Sequence, residues 1–174
     1  MLALFLGDSG DSSDSGRTSS PSGSATPLPA ITVDAPPSNA AAARPCTNVM
    51  GALPITLGDL QGRPARSTSS FVAAWGSPPV VLRCGVDRPA ALKPGSGDFV
   101  PAVNGVNYLH AEDGGVNVFT AIDRAVYVEV RIPTNYSAAG PLSLVSTAIS
   151  KALPAVCVVD PNETDPAKLC TRRR

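Results

Sequence analysis

The chain holds 174 residues, with 14 basic and 14 acidic side chains, one histidine and four cysteines, and so carries no net charge. A neutral chain with no basic stripe interleaved with aromatics excludes the electrostatic footprint of a nucleic-acid binder. A single histidine and no C-x-x-C pair leave no ordinary zinc signature. Cys46, Cys84, Cys157 and Cys170 read instead as two disulfides, which persist only in oxidising compartments.

Residues 1–6, MLALFL, form an apolar stub that Gly7 and Asp8 interrupt. A secretory signal has a basic front and a core of roughly 7–15 apolar residues, and a membrane span needs roughly 20. The stub therefore reads as a truncated leader or anchor. From 7 to 39 nearly every residue is Gly, Ser, Asp, Thr, Pro or Ala. So few large apolar side chains do not offset the entropy of ordering, and this stretch reads as a disordered tether. As a flexible coil it spans about 30 Å root-mean-square, which suits display of a domain away from a membrane. Residues 40–171 then make one domain, large enough to bury most of its apolar surface, followed by a basic tail, Arg172–Arg174. Residues 46–174 hold 12 basic and 10 acidic side chains, so the folded part is nearly neutral.

Pro45 suits the first turn of a helix, after which Cys46, Val49, Met50 and Leu53 share one face at i, i+3, i+4 and i+7. A loop with Gly58 and Gly62 leads to a weak strand pattern at Gln61–Ser67, a better one at Phe71–Trp75 and a strong one at Val80–Val86. There Val80, Leu82 and Cys84 fall on one face of a period-two pattern. Phe99–Val103, Val106–His110 and Val116–Ile122 are short alternating runs. Asn104-Gly105 and Asp113-Gly114 between them are hairpin signals, because these residues tolerate positive φ. The clearest strand is Ala125–Ile132, AVYVEVRI, with the valines facing one way and Tyr127, Glu129 and Arg131 the other. The period then becomes helical over Ser137–Leu153, with Leu142, Val145, Ile149 and Leu153 as its apolar stripe, and Val156–Val159 is an edge-strand candidate. The pattern predicts an α+β fold: an antiparallel sheet of about five or six strands, one face covered by two helices, stabilised by two disulfides.

The segments WGSPPVVLRCGVDRPAAL (75–92), VNGVNYL (103–109) and AVYVEVRIP (125–133) resemble a family of small exported or membrane-anchored actinobacterial proteins. That family is catalogued only as a domain of unknown function, and its mycobacterial members are called possible secreted proteins. The likeness covers about residues 44–153. It implies export and supplies no catalytic residue.

Chemistry-bearing clusters are sparse. Gly7-Asp8-Ser9-Gly10 imitates a serine-protease nucleophile loop, but it lies in a repetitive tract a hundred residues from His110, the one histidine. His110 with Glu112 or Asp113 is the candidate acid–base or metal-assisted pair of a small hydrolase, against the plainer reading of a solvated turn. Asp160, Asn162 and Asp165 have loosely calcium-like spacing without the required Gly and terminal Glu. Trp75, Arg83, Asp87 and Arg88 are the candidate binding surface; the competing readings are a core tryptophan and cross-strand ion pairs. No residue is assigned as catalytic or metal-ligating, and no cofactor is implied.

The leading expectation is a non-catalytic, extracytoplasmic module, secreted or tethered to the outer side of the plasma membrane through its leader. Its partner would be an envelope protein, glycan or lipid. The alternatives are the His110 enzyme and a redox-active disulfide domain, which needs an exposed low-pKa cysteine. Cys46 and Cys84 both fall on core faces, whereas Cys157 and Cys170 bracket a polar loop. This predicts the pairs Cys46–Cys84 and Cys157–Cys170.

Overall fold

Alternating β-branched runs and two amphipathic helices dictate the architecture in the computed structural model, which describes residues 26–37, 39–92 and 101–156. In chain order the elements are β1 (Ile31–Thr32), α1 (Ala40–Ala52), β2 (Thr56–Leu57), β3 (Leu60–Arg63), β4 (Ala65–Arg66) and β5 (Val72–Trp75). There follow β6 (Val80–Val86), β7 (Ala102–Val103), β8 (Val106–Asp113), β9 (Val116–Ala121), β10 (Tyr127–Pro133) and α2 (Ala139–Ala152). The main sheet has eight strands in the order β2-β3-β5-β6-β10-β9-β8-β7, every neighbouring pair antiparallel. β1 and β4 form a separate parallel pair.

The α+β class holds, but the sheet is wider than the five or six strands expected. Its outermost strands, β2 and β7, are two residues each, too short to show a period. The Asn104-Gly105 hairpin forms as predicted, with Val103 opposite Val106 and both turn residues at positive φ (47° and 77°). The second hairpin turns on Gly114-Gly115, since Asp113 pairs with Val116. β8 accordingly runs on to Asp113, past the expected end at His110.

Val128, Val130 and Ile132 alternate with Tyr127, Glu129 and Arg131 along β10, so one sheet face is apolar and takes both helices. Cys46 and Val49 of α1 and Val145 and Ile149 of α2 meet Leu82, Tyr108 and the β10 valines, all with no exposed surface. Each such aliphatic side chain contributes about 1.5–3 kcal/mol relative to exposure. α1 starts earlier than the spacing predicts, and Pro45 lies inside it. Asn39 caps the helix by accepting from the Ala41 amide at 2.9 Å. Four alanines, the strongest helix formers, then carry it through the one backbone bond that Pro45 forfeits.

Cys46 and Cys84 are joined, with Cα atoms 5.6 Å apart, as their shared core faces predict. Gly85 lets α1 lie this close: a Cβ there would meet Ala42 at 3.2 Å and the Cys46 sulfur at 3.5 Å, on a backbone with φ of +89°. One disulfide is thus seen among the described residues. The Cys157–Cys170 pairing lies outside them, as do the leader stub, the Gly7–Gly10 motif, the Asp160–Asp165 loop, most of the Val156–Val159 strand and the basic tail.

Packing also reaches back into the stretch whose composition reads as tether. Ile31-Thr32-Val33 is its only β-branched run; Ile31 and Val33 donate to the carbonyls of Pro64 and Arg66 at 3.0 and 2.9 Å. Val33 is buried, and Arg63 Nε donates to the Pro29 carbonyl at 2.7 Å. Among the described residues no helix is long and apolar enough to cross a membrane.

Candidate functional site

The alternation that sends Val128 and Val130 into the core turns Glu129 to the helix-free face. Strand register sets its neighbours: Glu129 lies opposite Arg83 of β6 and Thr120 of β9, and Thr120 lies opposite Leu109 of β8. Arg83 Nε donates to Glu129 Oε1 at 2.9 Å, and Arg83 Nη2 lies 2.8 Å from the same oxygen as an ion pair. Oε2 accepts no hydrogen bond from a described residue. The loop after β6, carrying Asp87, Pro89 and Ala90, folds over this row and leaves a cavity of about 370 Å³. Leu109 and Thr120 are each only 5% exposed although they face away from the helices, so the loop makes a roof over them. The volume is at the lower end of ordinary ligand sites, about 300–1,000 Å³.

Of the four residues proposed from sequence as a binding surface, the structure brings together two. Arg83 and Asp87 share this cavity. Trp75 lies on the helix-covered side, 3% exposed, its indole N–H donating to the Pro54 carbonyl at 3.1 Å. It closes the core and offers no groove. Arg88 donates to the Leu92 carbonyl at 2.9 Å, so it ties its own loop. Glu129 was legible as an outward strand residue, part of a polar patch or half of a cross-strand pair. Thr120, Leu109 and the roof were missed, because a short Pro/Ala loop carries no local sign of which face it will cover.

His110, Glu112 and Asp113 sit exposed at the β8–β9 hairpin and line neither described cavity. His110 stacks on Phe119 with centroids 4.6 Å apart, and its Nε2 lies 2.9 Å from Asn117 Oδ1. Asp113 accepts from Arg131 Nη2 at 2.7 Å. The hairpin encloses no space in which the three groups would meet a substrate. Among the described residues no three His, Cys, Asp or Glu side chains gather as metal ligands.

A second cavity, about 430 Å³, lies between Pro36, the start of α1 and Ser69–Phe71. Its described lining holds no charged side chain, and Asn39 and Ser69 already serve the α1 cap and the Phe71 turn.

The sequence reading also missed a buried polar cluster. Asp123 and Arg124, between β9 and β10, are 4% and 5% exposed. Arg124 Nη1 lies 2.9 Å from Asp123 Oδ1, but the angle is poor, and Oδ1 and Arg124 Nε lack a hydrogen-bond partner among the described residues. Arg124 satisfies its other nitrogens on the carbonyls of Asp123 (2.9 Å) and Gly105 (2.7 Å), clasping the two hairpins together. Nearby, Ser146 donates to the Leu142 carbonyl at 2.6 Å, which leaves the Tyr108 hydroxyl to donate to Ser146 at 2.8 Å. Burial pushes the Tyr108 phenol up to about 12, against smaller opposing effects of Ser146 and the Arg124 charge. These groups line neither described cavity.

Residues 16–158 match the family model described as a protein of unknown function, DUF3515. The chain belongs to this family. The DUF3515 match takes in the whole described domain, including β1, both hairpins and the cavity row. No curated protein and no solved structure matches the chain.

Proposed function

We propose that this DUF3515 protein is an exported, non-catalytic binding module of the cell envelope, which engages its partner through the helix-free face of the sheet. One observation carries this reading: the roofed cavity over Arg83, Glu129 and Thr120 is where strand-borne polar groups and apolar walls converge on a concave surface. Strands hold such groups more precisely than loops do. The buried Cys46–Cys84 bridge supports an extracytoplasmic, secreted or membrane-tethered location, since such bonds persist in oxidising compartments. The resemblance to exported actinobacterial proteins points the same way. Of the three partner classes, glycan is the least favoured, because the described lining has no aromatic ring for sugar stacking.

Two arms test the reading. A phosphatase fusion after residue 156, with the natural upstream reading frame restored before residue 1, should be active outside the plasma membrane; a soluble, inactive cytosolic pool contradicts export. Capture from solubilised envelope by the immobilised full chain should be lost in Ala111→Trp, which fills the cavity from an exposed position on its rim, with the melting temperature unchanged. Equal capture by both proteins contradicts the assignment of the face.

A further inference from the structure

Resting on that binding-face reading, we infer that the cavity under the β6 loop receives a lysine side chain presented by a partner polypeptide. Among its described lining residues the charged groups are Arg83, Asp87 and Glu129, which sum to one negative charge. Among the described lining residues the one cation is already committed, its Nε donating to Glu129 Oε1 and its Nη2 lying 2.8 Å from the same oxygen. Among the described residues an anionic ligand therefore meets a neutralised arginine and an Asp87 with no partner. A cation meets the opposite: Glu129 Oε2 and the Asp87 carboxylate accept no hydrogen bond from a described residue and both belong to the cavity.

The remainder of the lining decides what carries the cation. Leu109, Val118, Ala111 and the roof residues Pro89 and Ala90 are apolar and small, and none is aromatic. A quaternary ammonium, which is bound through ring faces, finds no cage among these described residues. A primary ammonium on an unbranched aliphatic stem fits both halves, the stem along Leu109 and Val118 and the head on the carboxylates. The volume of about 370 Å³ accommodates one such side chain rather than a folded segment. The exposed rim at Ala90 and Ala111 leaves the way open for the backbone that bears it.

The test titrates the isotope-labelled full chain with Nα-acetyl-lysine methylamide and with its neutral isostere, Nα-acetyl-norleucine methylamide, following backbone amides by NMR. The lysine probe should shift the amides of Asp87, Thr120 and Glu129 saturably, with Kd on the order of 1 mM as expected of so small a ligand. The norleucine probe should bind at least about 10-fold more weakly, one charge–carboxylate contact being worth that factor. Asp87→Asn, on an exposed loop, should weaken the lysine probe several-fold without altering the fold; Glu129→Gln should do the same. Equal binding of the two probes, tighter binding of the corresponding glutamate amide, or no shift at these amides overturns the lysine assignment. Envelope capture lost in Ala111→Trp would in each of those cases still uphold the binding face, so the two claims fail separately.

Discussion

Replacing both Cys46 and Cys84 by alanine removes a bridge between α1 and β6, elements that otherwise touch only through side-chain packing. The bridge closes a separation of 38 residues. Loop-closure entropy for that length is about 13 cal/mol/K, or about 4 kcal/mol at 25 °C. Both sulfurs are fully buried in the core, so the alanines add a small cavity loss to the entropic one. Against a usual total of about 5–15 kcal/mol, this is a large fraction. For a domain of this size about 1 kcal/mol moves the midpoint by roughly 3–5 °C, so the double variant should melt about 12–20 °C below the parent. Thermal unfolding followed by near-ultraviolet circular dichroism reads the shift, with denaturant titration as an independent measure. A midpoint within about 3 °C of the parent would refute the argument that this bridge holds helix to sheet.

Arg124→Ala should cost about 3–5 kcal/mol, because it strands the buried Asp123 carboxylate, whereas Asp123→Ala with Arg124→Ala should cost less than the single change; urea titration of the three proteins checks the order. Tyr108 has its folded pKa raised to about 12 from 10.0, so its contribution is complete below pH 10 and is lost as pH rises from 10 to 12. That loss amounts to about 2–3 kcal/mol by pH 12, and it should be missing from the difference in stability between Tyr108→Phe at pH 9 and at pH 12. His110→Ala should lower stability by about 1 kcal/mol or less and leave envelope capture intact, since the ring is exposed, stacks on Phe119 and makes one exposed hydrogen bond with Asn117.

Where one residue's neighbours in sequence settle its environment, the fold could be read in advance. AVYVEVRI sorts itself into two faces by period alone, and Cys46 and Cys84 fall on core faces whose packing brings them within bonding distance. Asn104-Gly105 names its own turn. Other features depend on partners far along the chain. Ile31-Thr32 becomes a strand only because β4 offers a parallel neighbour some thirty residues on. Asp123-Arg124 looks like any polar turn until Gly105 and Val156 close over it: the Val156 amide donates to the Asp123 carbonyl at 2.9 Å. The candidate site shows the same division. Arg83 and Glu129 were legible as outward residues of strong strands, but the roof over them depends on how residues 87–91 turn back across the sheet after β6. Local composition does not encode that route.

The binding face itself is tested most directly by photo-crosslinking in intact cells, with benzoylphenylalanine placed at Ala90 on the cavity rim or at Leu144, an exposed position on the outer side of α2. The account predicts one discrete adduct from Ala90 in the envelope fraction, suppressed by Asp87→Asn, and none from Leu144. Adducts from Leu144 alone, or an Ala90 adduct confined to the cytosol, would contradict it.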